Sequence, residues 1–156
     1  MDADEIVRLL DLQPHPEEGG WFVETYRSAE ALGERSLSTA IYYLLSGTSI
    51  SAMHRLPGDE IFHHYLGDPV EVLLLHPDGR HELVVLGPDL RAGHRPQLVV
   101  PGGVWQGAVL LHGRAALLGT TMAPGFAYAD YAHGDIDALA AAWPDAAPHI
   151  HRRQRR

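Results

Sequence analysis

Turn signals recur along this chain every eight to twelve residues or so, the spacing of short strands in an all-β sandwich or barrel. They fall at Ser46-Gly47, Pro57-Gly58-Asp59, Gly67-Asp68-Pro69, Pro77-Asp78-Gly79, Gly87-Pro88-Asp89, Pro101-Gly102-Gly103 and His112-Gly113. Between them, residues 21–28, 38–45, 51–56, 60–66, 70–76, 80–86, 97–100, 105–111 and 115–121 are rich in aliphatic, aromatic and β-branched side chains, and each reads as a strand. Helical spacing occurs only near the ends. Ile6, Leu9 and Leu10 mark a short helix over 4–12, ended by Pro14, and Ile136, Leu139, Ala140 and Trp143 mark another over 135–143, ended by Pro144.

With 156 residues, 46% of them hydrophobic, the chain can build one well-buried core and is too short for two ordinary domains. We read residues 1–148 as a single domain and 149–156 as a basic, disordered tail, because Arg152, Arg153, Arg155 and Arg156 cluster there. Without those four arginines the remainder is more acidic still than the formal −8 of the whole. Such a surface repels phosphate backbones, so nucleic acid is not an expected partner. No apolar stretch approaches the roughly 20 residues of a membrane span, and the start is acidic, so we expect a cytoplasmic protein without membrane contact. Cysteine is absent, which leaves only nitrogen and oxygen side chains for catalysis or metal binding.

Two segments carry groups able to do chemistry. Between Gly47 and Gly67 lie His54, Glu60, His63 and His64, and Pro101 to Gln106 ends on an amide. A reversal at Pro57-Gly58-Asp59 puts His54 and Glu60 on neighbouring strands, where both side chains can aim into one cavity. Alternation along the second strand places Glu60, Phe62, His64 and Leu66 on one face and Ile61, His63 and Tyr65 on the other. A histidine beside a carboxylate can move protons, with Tyr65, Tyr26 or Tyr43 as partner acid and Gln106 donating to a substrate oxygen. Arg27 and Arg55 are candidate binders of a carboxylate or phosphate, or members of structural salt bridges. Trp21, Phe62 and Trp105 are candidates for a stacking wall or for core. The other histidines, His15 included, read as solvated. A P-loop is excluded, since the chain has no Lys, and no Gly-x-Ser-x-Gly elbow is present.

These segments resemble the two motifs of the cupin superfamily. The first motif runs Gly, five residues, His-x-His, three or four residues, Glu, six residues, Gly. Here six residues separate Gly47 from His54, Leu56 stands at the second histidine, and Glu60 and Gly67 follow in step. The second motif, Pro-x-Gly-x-x-His, is matched by Pro101 to Gln106 with an amide in place of the histidine. More narrowly the chain resembles the group called domain of unknown function 985, the fifth cupin family. That likeness rests on Leu12-x-Pro14-His15-Pro16 with Gly19-Gly20, Glu24 to Ser28, Ser38 to Leu45, His54-Arg55, Asp59-Glu60, His63, Tyr65, Gly67 to Pro69, Leu86 to Leu90, Pro96 to Pro101, Val104 to Gln106 and Ala123 to Phe126. The resemblance implies a double-stranded β-helix (a jelly-roll barrel), a pocket inside it, and a homodimer. Apolar surplus in the runs 42–45 and 73–75 is a further reason to expect the homodimer. It points to His63, where alternation points to His64.

The leading expectation is a barrel that binds a small polar or ring-bearing metabolite and converts it by proton transfer, as an isomerase or epimerase does. His54, Glu60, His63 and Tyr65 are the candidate catalytic residues, and Gln106, His64, Arg27, Arg55, Phe62, Trp105 and Tyr43 the candidate ligand contacts. A metal-assisted enzyme, with a divalent ion on His54, Glu60 and Gln106, and a non-catalytic small-molecule sensor are the alternatives.

Overall fold

The computed structural model of the chain describes residues 1–154. Thirteen strands form: β1 (Gln13–Pro14), β2 (Trp21–Arg27), β3 (Ala31–Leu32), β4 (Arg35–Ser36), β5 (Thr39–Ser46), β6 (Ile50–Arg55), β7 (Glu60–Gly67), β8 (Val70–Leu75), β9 (His81–Leu86), β10 (Gln97–Val100), β11 (Trp105–Leu110), β12 (Ala115–Met122) and β13 (Ala132–His133). One sheet has the order β1-β2-β5-β12-β7-β10 and the other β13-β6-β11-β8-β9, with β3-β4 a separate hairpin. Neighbouring strands pair antiparallel, so the molecule is a jelly roll of two facing sheets.

Alternation sorts side chains into an inside and two outsides. Tyr43, Leu45, Phe62 and Leu118 from the first sheet meet Val70, Val72, Leu74, Leu86 and Ala108 from the second, forming the central core. Each such side chain contributes about 1.5–3 kcal/mol by leaving water. The outer face of the first sheet is covered by α1 (Ala3–Leu9), whose Ile6 packs with Leu44 and Leu117. Over the second sheet lie α2 (Ile136–Ala142) and α3 (Ala147–His151), which bury Met53, Leu73 and Leu75 under Leu139 and Ile150. Asp2 and Asp135 cap α1 and α2 by accepting from the amides of Glu5 and Ala138. Tyr43 to Leu45 and Leu73 to Leu75 are thus buried within one chain, whereas Tyr42 is only partly covered, beside the exposed Tyr65 and Leu66. No helix among the described residues is long and apolar enough to cross a membrane.

The C-terminal segment departs from expectation. Residues read as the start of a disordered tail belong to α3, and Arg153 is wholly buried. Its guanidinium donates to the carbonyls of Gly107, Glu71 and His149 and to the Glu71 carboxylate at 3.0 Å. A charge run is solvated by default, but this arginine has a buried partner and three carbonyls to satisfy, which sequence spacing does not reveal. Arg155 and Arg156 lie outside the described residues.

Candidate active site

His54 enters the barrel because β6 is bulged. Against β11, Gln106 faces His54 and Ala108 faces Ser51, so Ala52 and Met53 together oppose Gly107. The extra residue leaves both Ser51 and His54 on the inner face. It is also the one residue by which the Gly47–His54 spacing exceeds the cupin motif. Off-sheet partners satisfy the backbone of the bulge. The Ala52 amide donates to the Glu18 carbonyl, the Met53 amide to the Arg153 carbonyl, and the Gly134 amide to the Met53 carbonyl. The Ala52 carbonyl accepts from Nδ1 of His54 at 2.8 Å. A carbonyl only accepts, so Nδ1 carries the hydrogen and Nε2 of the neutral ring presents a lone pair. Burial holds the imidazole below its ordinary value of 6.5, against the pull of Glu60. Tyr131, just before β13, stacks on the ring with centroids 5.1 Å apart.

Glu60 opens β7 and faces the same hollow, opposite Met122 on β12. One oxygen accepts from Nε2 of Gln106 at 2.8 Å. Burial raises this carboxyl above its ordinary 4.5, and the nearby Glu18 raises it further, while His54, Gln106 and Thr120 oppose them.

The sequence reading missed the N-terminal wall. The loop after β1 brings His15 and Glu18 against the pocket, both buried. Gly19 and Gly20 seat it, for a Cβ at either would lie 2.4 or 2.6 Å from the carbonyl oxygen of Ile50 or Leu44, and both have positive φ. Nδ1 of His15 accepts from the amides of Glu17 and Glu18, so its hydrogen is on Nε2. Glu18 hydrogen-bonds the Ser51 hydroxyl through one oxygen. The other lies 3.8 Å from Nε2 of His15 and 3.9 Å from Nε2 of His54. One carboxyl oxygen therefore stands between an imidazole N–H and an imidazole lone pair. Burial raises Glu18 above its ordinary 4.5, outweighing His15 and Ser51.

Phe22, Glu24 and Arg27 of β2, Thr39 and Ile41 of β5, Thr120 and Met122 of β12, and Leu56, Phe126, Tyr128 and Tyr131 complete the lining. The cavity measures about 70 Å³, several times the roughly 10–15 Å³ that one water needs, so it suits a small molecule rather than a polymer.

Of the residues singled out from sequence, His54, Glu60 and Arg27 line this cavity, and Gln106 stands behind Glu60. The others are elsewhere. His63 faces outward, bonded to Thr121 and Gln97, and stacks with Tyr65, which is itself half exposed on the outer face. His64 shares the inner face but sits toward the opposite end of β7, its Nε2 on the Asp68 carbonyl. The choice between His63 and His64 thus has neither in the pocket. Phe62 is core. Arg55 lies on the outside over the Trp105 ring, and Trp105 packs under the C-terminal helices. Tyr43 is buried below the loop, its hydroxyl donating to the Gly19 carbonyl at 2.8 Å.

The donor set does not fit a metal ion. Of the motif's four ligand positions, one is Leu56, which lines the cavity, and another is the neutral amide of Gln106, whose Nε2 donates to Glu60. Among the described residues no three His, Asp or Glu side chains are grouped to hold a cation.

Comparison with known proteins agrees with this fold. The chain is 30% identical over 133 residues to the uncharacterized protein YML079W of Saccharomyces cerevisiae, a match spanning 73% of this chain and 66% of the yeast protein. Among solved structures, protein SO0799 from Shewanella oneidensis superposes with a TM-score of 0.93 at 33% identity, covering 99% of this chain and 98% of that one. A hypothetical protein from Leishmania major gives 0.89 at 27% identity, covering all of both chains. Oxalate decarboxylase from Bacillus subtilis shares the fold alone, with a TM-score of 0.61 at 15% identity over 93% of this chain and 37% of that one. The profile of the Cupin superfamily (DUF985) family matches residues 4–133, and with the motif positions carried by β6, β7 and β11 the chain belongs to that family.

Proposed function

We propose that this protein is an acid–base enzyme of isomerase or epimerase type, acting on a small polar or ring-bearing metabolite held in the barrel. The observation that carries the reading is the His54 imidazole, whose Nδ1 is fixed on a backbone carbonyl, whose Nε2 lone pair lies 3.9 Å from the buried Glu18 carboxyl, and which shares the cavity with Glu60. A neutral imidazole removes a proton from carbon beside a carbonyl, and a carboxyl raised above its ordinary 4.5 by burial supplies one to the oxygen or to the opposite face. Gln106 orients Glu60, and His15 orients Glu18. Stacking on Tyr131 fixes the plane of the base.

Hydrogen exchange tests this whatever the product turns out to be. Uncharged ketoses, aldoses and lactones are incubated with the protein in D₂O, and deuterium at the carbon beside the carbonyl is followed by NMR. Exchange in the wild type, lost in His54→Gln and strongly reduced in Glu60→Gln, is the expected result. With the base held below 6.5 and the acid above 4.5, the rate should fall as pH drops through the value of the base and again as it rises through that of the acid. Exchange that persists undiminished in His54→Gln, or its absence with every compound while a molecule is retained unchanged, overturns the reading in favour of a non-catalytic binder.

A further inference from the structure

Among the described residues Arg27 is the only arginine lining the pocket, and on sequence alone it invites an anionic ligand. Its Nε–Nη2 edge is already filled. Nε and Nη2 donate to the two oxygens of Glu24 at 2.9 and 2.8 Å, and Nη2 also donates to the Phe126 carbonyl at 3.2 Å. That two-point fork is the geometry with which a guanidinium takes a ligand carboxylate. A bulge between Glu24 and Tyr26 in β2 is what brings Glu24 and Arg27, three residues apart, to the same rim. Both side chains are partly exposed, 38% and 45%, so the pair adds little to stability. Deeper in the hollow stand two carboxyl groups, Glu18 and Glu60, and the walls between are rings: Phe22, Phe126, Tyr128 and Tyr131.

We infer that Glu24 is a specificity-determining residue: by masking Arg27 it makes the pocket accept uncharged ring compounds and refuse their carboxylate counterparts. This rests on the reading of the pocket as the substrate site. A carboxylate entering would have to displace Glu24 from the guanidinium and then face the carboxyls below, whereas an uncharged ring meets aromatic walls and hydrogen-bonding groups at no such cost. The substrate class is therefore a small neutral ring bearing hydroxyl or carbonyl oxygens.

Benzamide and benzoate, equal in ring and shape and different in charge, are the probes. Their affinities are measured by calorimetry or ligand-observed NMR for the wild type, Glu24→Gln and the Glu24→Gln/Arg27→Gln double variant, each first checked for unchanged thermal unfolding. The wild type should bind benzamide at least about tenfold more tightly than benzoate. In Glu24→Gln, benzoate should gain about tenfold or more while benzamide shifts less than about threefold, and the gain should vanish in the double variant. Equal binding of the two probes to the wild type overturns the inference. So does an unchanged ratio in Glu24→Gln, a gain that survives loss of Arg27, or failure of both probes to bind any of the three proteins. None of these readouts needs turnover. A wild type that prefers benzamide yet exchanges no hydrogen in any compound retires the proton-transfer reading and leaves this one in place.

Discussion

Glu60 and Phe62 stand two positions apart on β7 and face the same interior, yet one helps to build a polar pocket and the other a hydrocarbon core. The difference lies in what each meets from the opposite sheet and the loops. Around Phe62 the sheets close on Val72, Leu74 and Leu118 and leave no room. Around Glu60 the loop carrying Glu18, the bulged strand carrying His54 and the amide of Gln106 hold the walls apart and answer its oxygens. Position on the strand decides the direction of a side chain, and the non-local surroundings decide whether it serves stability or chemistry.

The largest effect should come from the core side. Phe62→Ala is expected to cost about 3–5 kcal/mol in denaturant unfolding, because a cavity remains where the ring was, while the still-folded fraction keeps its ligand preference. Arg153→Met should cost about 3 kcal/mol by the same measurement, since it removes the buried partner of the Glu71 carboxylate and leaves it only the half-exposed Arg152 at 3.4 Å. On the pocket side the balance reverses. Glu60→Gln should alter stability by no more than about 1 kcal/mol yet slow the proposed exchange by about 100-fold.

The pH dependence of stability separates the two ends more finely. Burial raises Glu60 and Glu18 above 4.5, so the folded protein keeps protons that the unfolded chain releases; the stability this adds is full below pH 4.5 and lost as pH rises through the folded values. His54 has the opposite sign. Lowered below 6.5, it adds stability that is full above pH 6.5 and lost as pH falls through its folded value. Unfolding curves across this range should lose part of the first slope in Glu60→Gln and the second in His54→Gln; curves identical to wild type would contradict the burial of these groups. The smallest change is expected outside the barrel. His63→Ala should shift stability by about 0.5–1 kcal/mol, the worth of its hydrogen bonds to Thr121 and Gln97, and leave exchange and ligand preference untouched.

Strands were legible in the sequence because alternation and turn residues are local, and so was the sharing of one cavity by His54 and Glu60; the neighbouring strands expected across Pro57-Gly58-Asp59 are not found, because β6 and β7 belong to opposite sheets. Gln106 followed from the second motif. Glu18 and Tyr131 were not found, because neither lies within a strand where a two-residue period can place a side chain. The signal available for the first was the segment His15 to Gly20, where a histidine precedes two adjacent glycines; glycines there imply close approach of backbone, which is what the structure shows. His63 and Tyr65 face outward, where alternation from Glu60 along β7 places them, and it was the family resemblance that drew His63 toward the pocket. Arg153 was hidden because its partner Glu71 lies on β8, far away in sequence.

The kink in β6 has a consequence for how the molecule comes into being. Its backbone is held by Glu18, Gly134 and Arg153, contributed by three stretches of polypeptide far apart in sequence. The sheets can pair before all three tethers are docked. His54 then takes its final orientation only once residues more than a hundred positions apart have met.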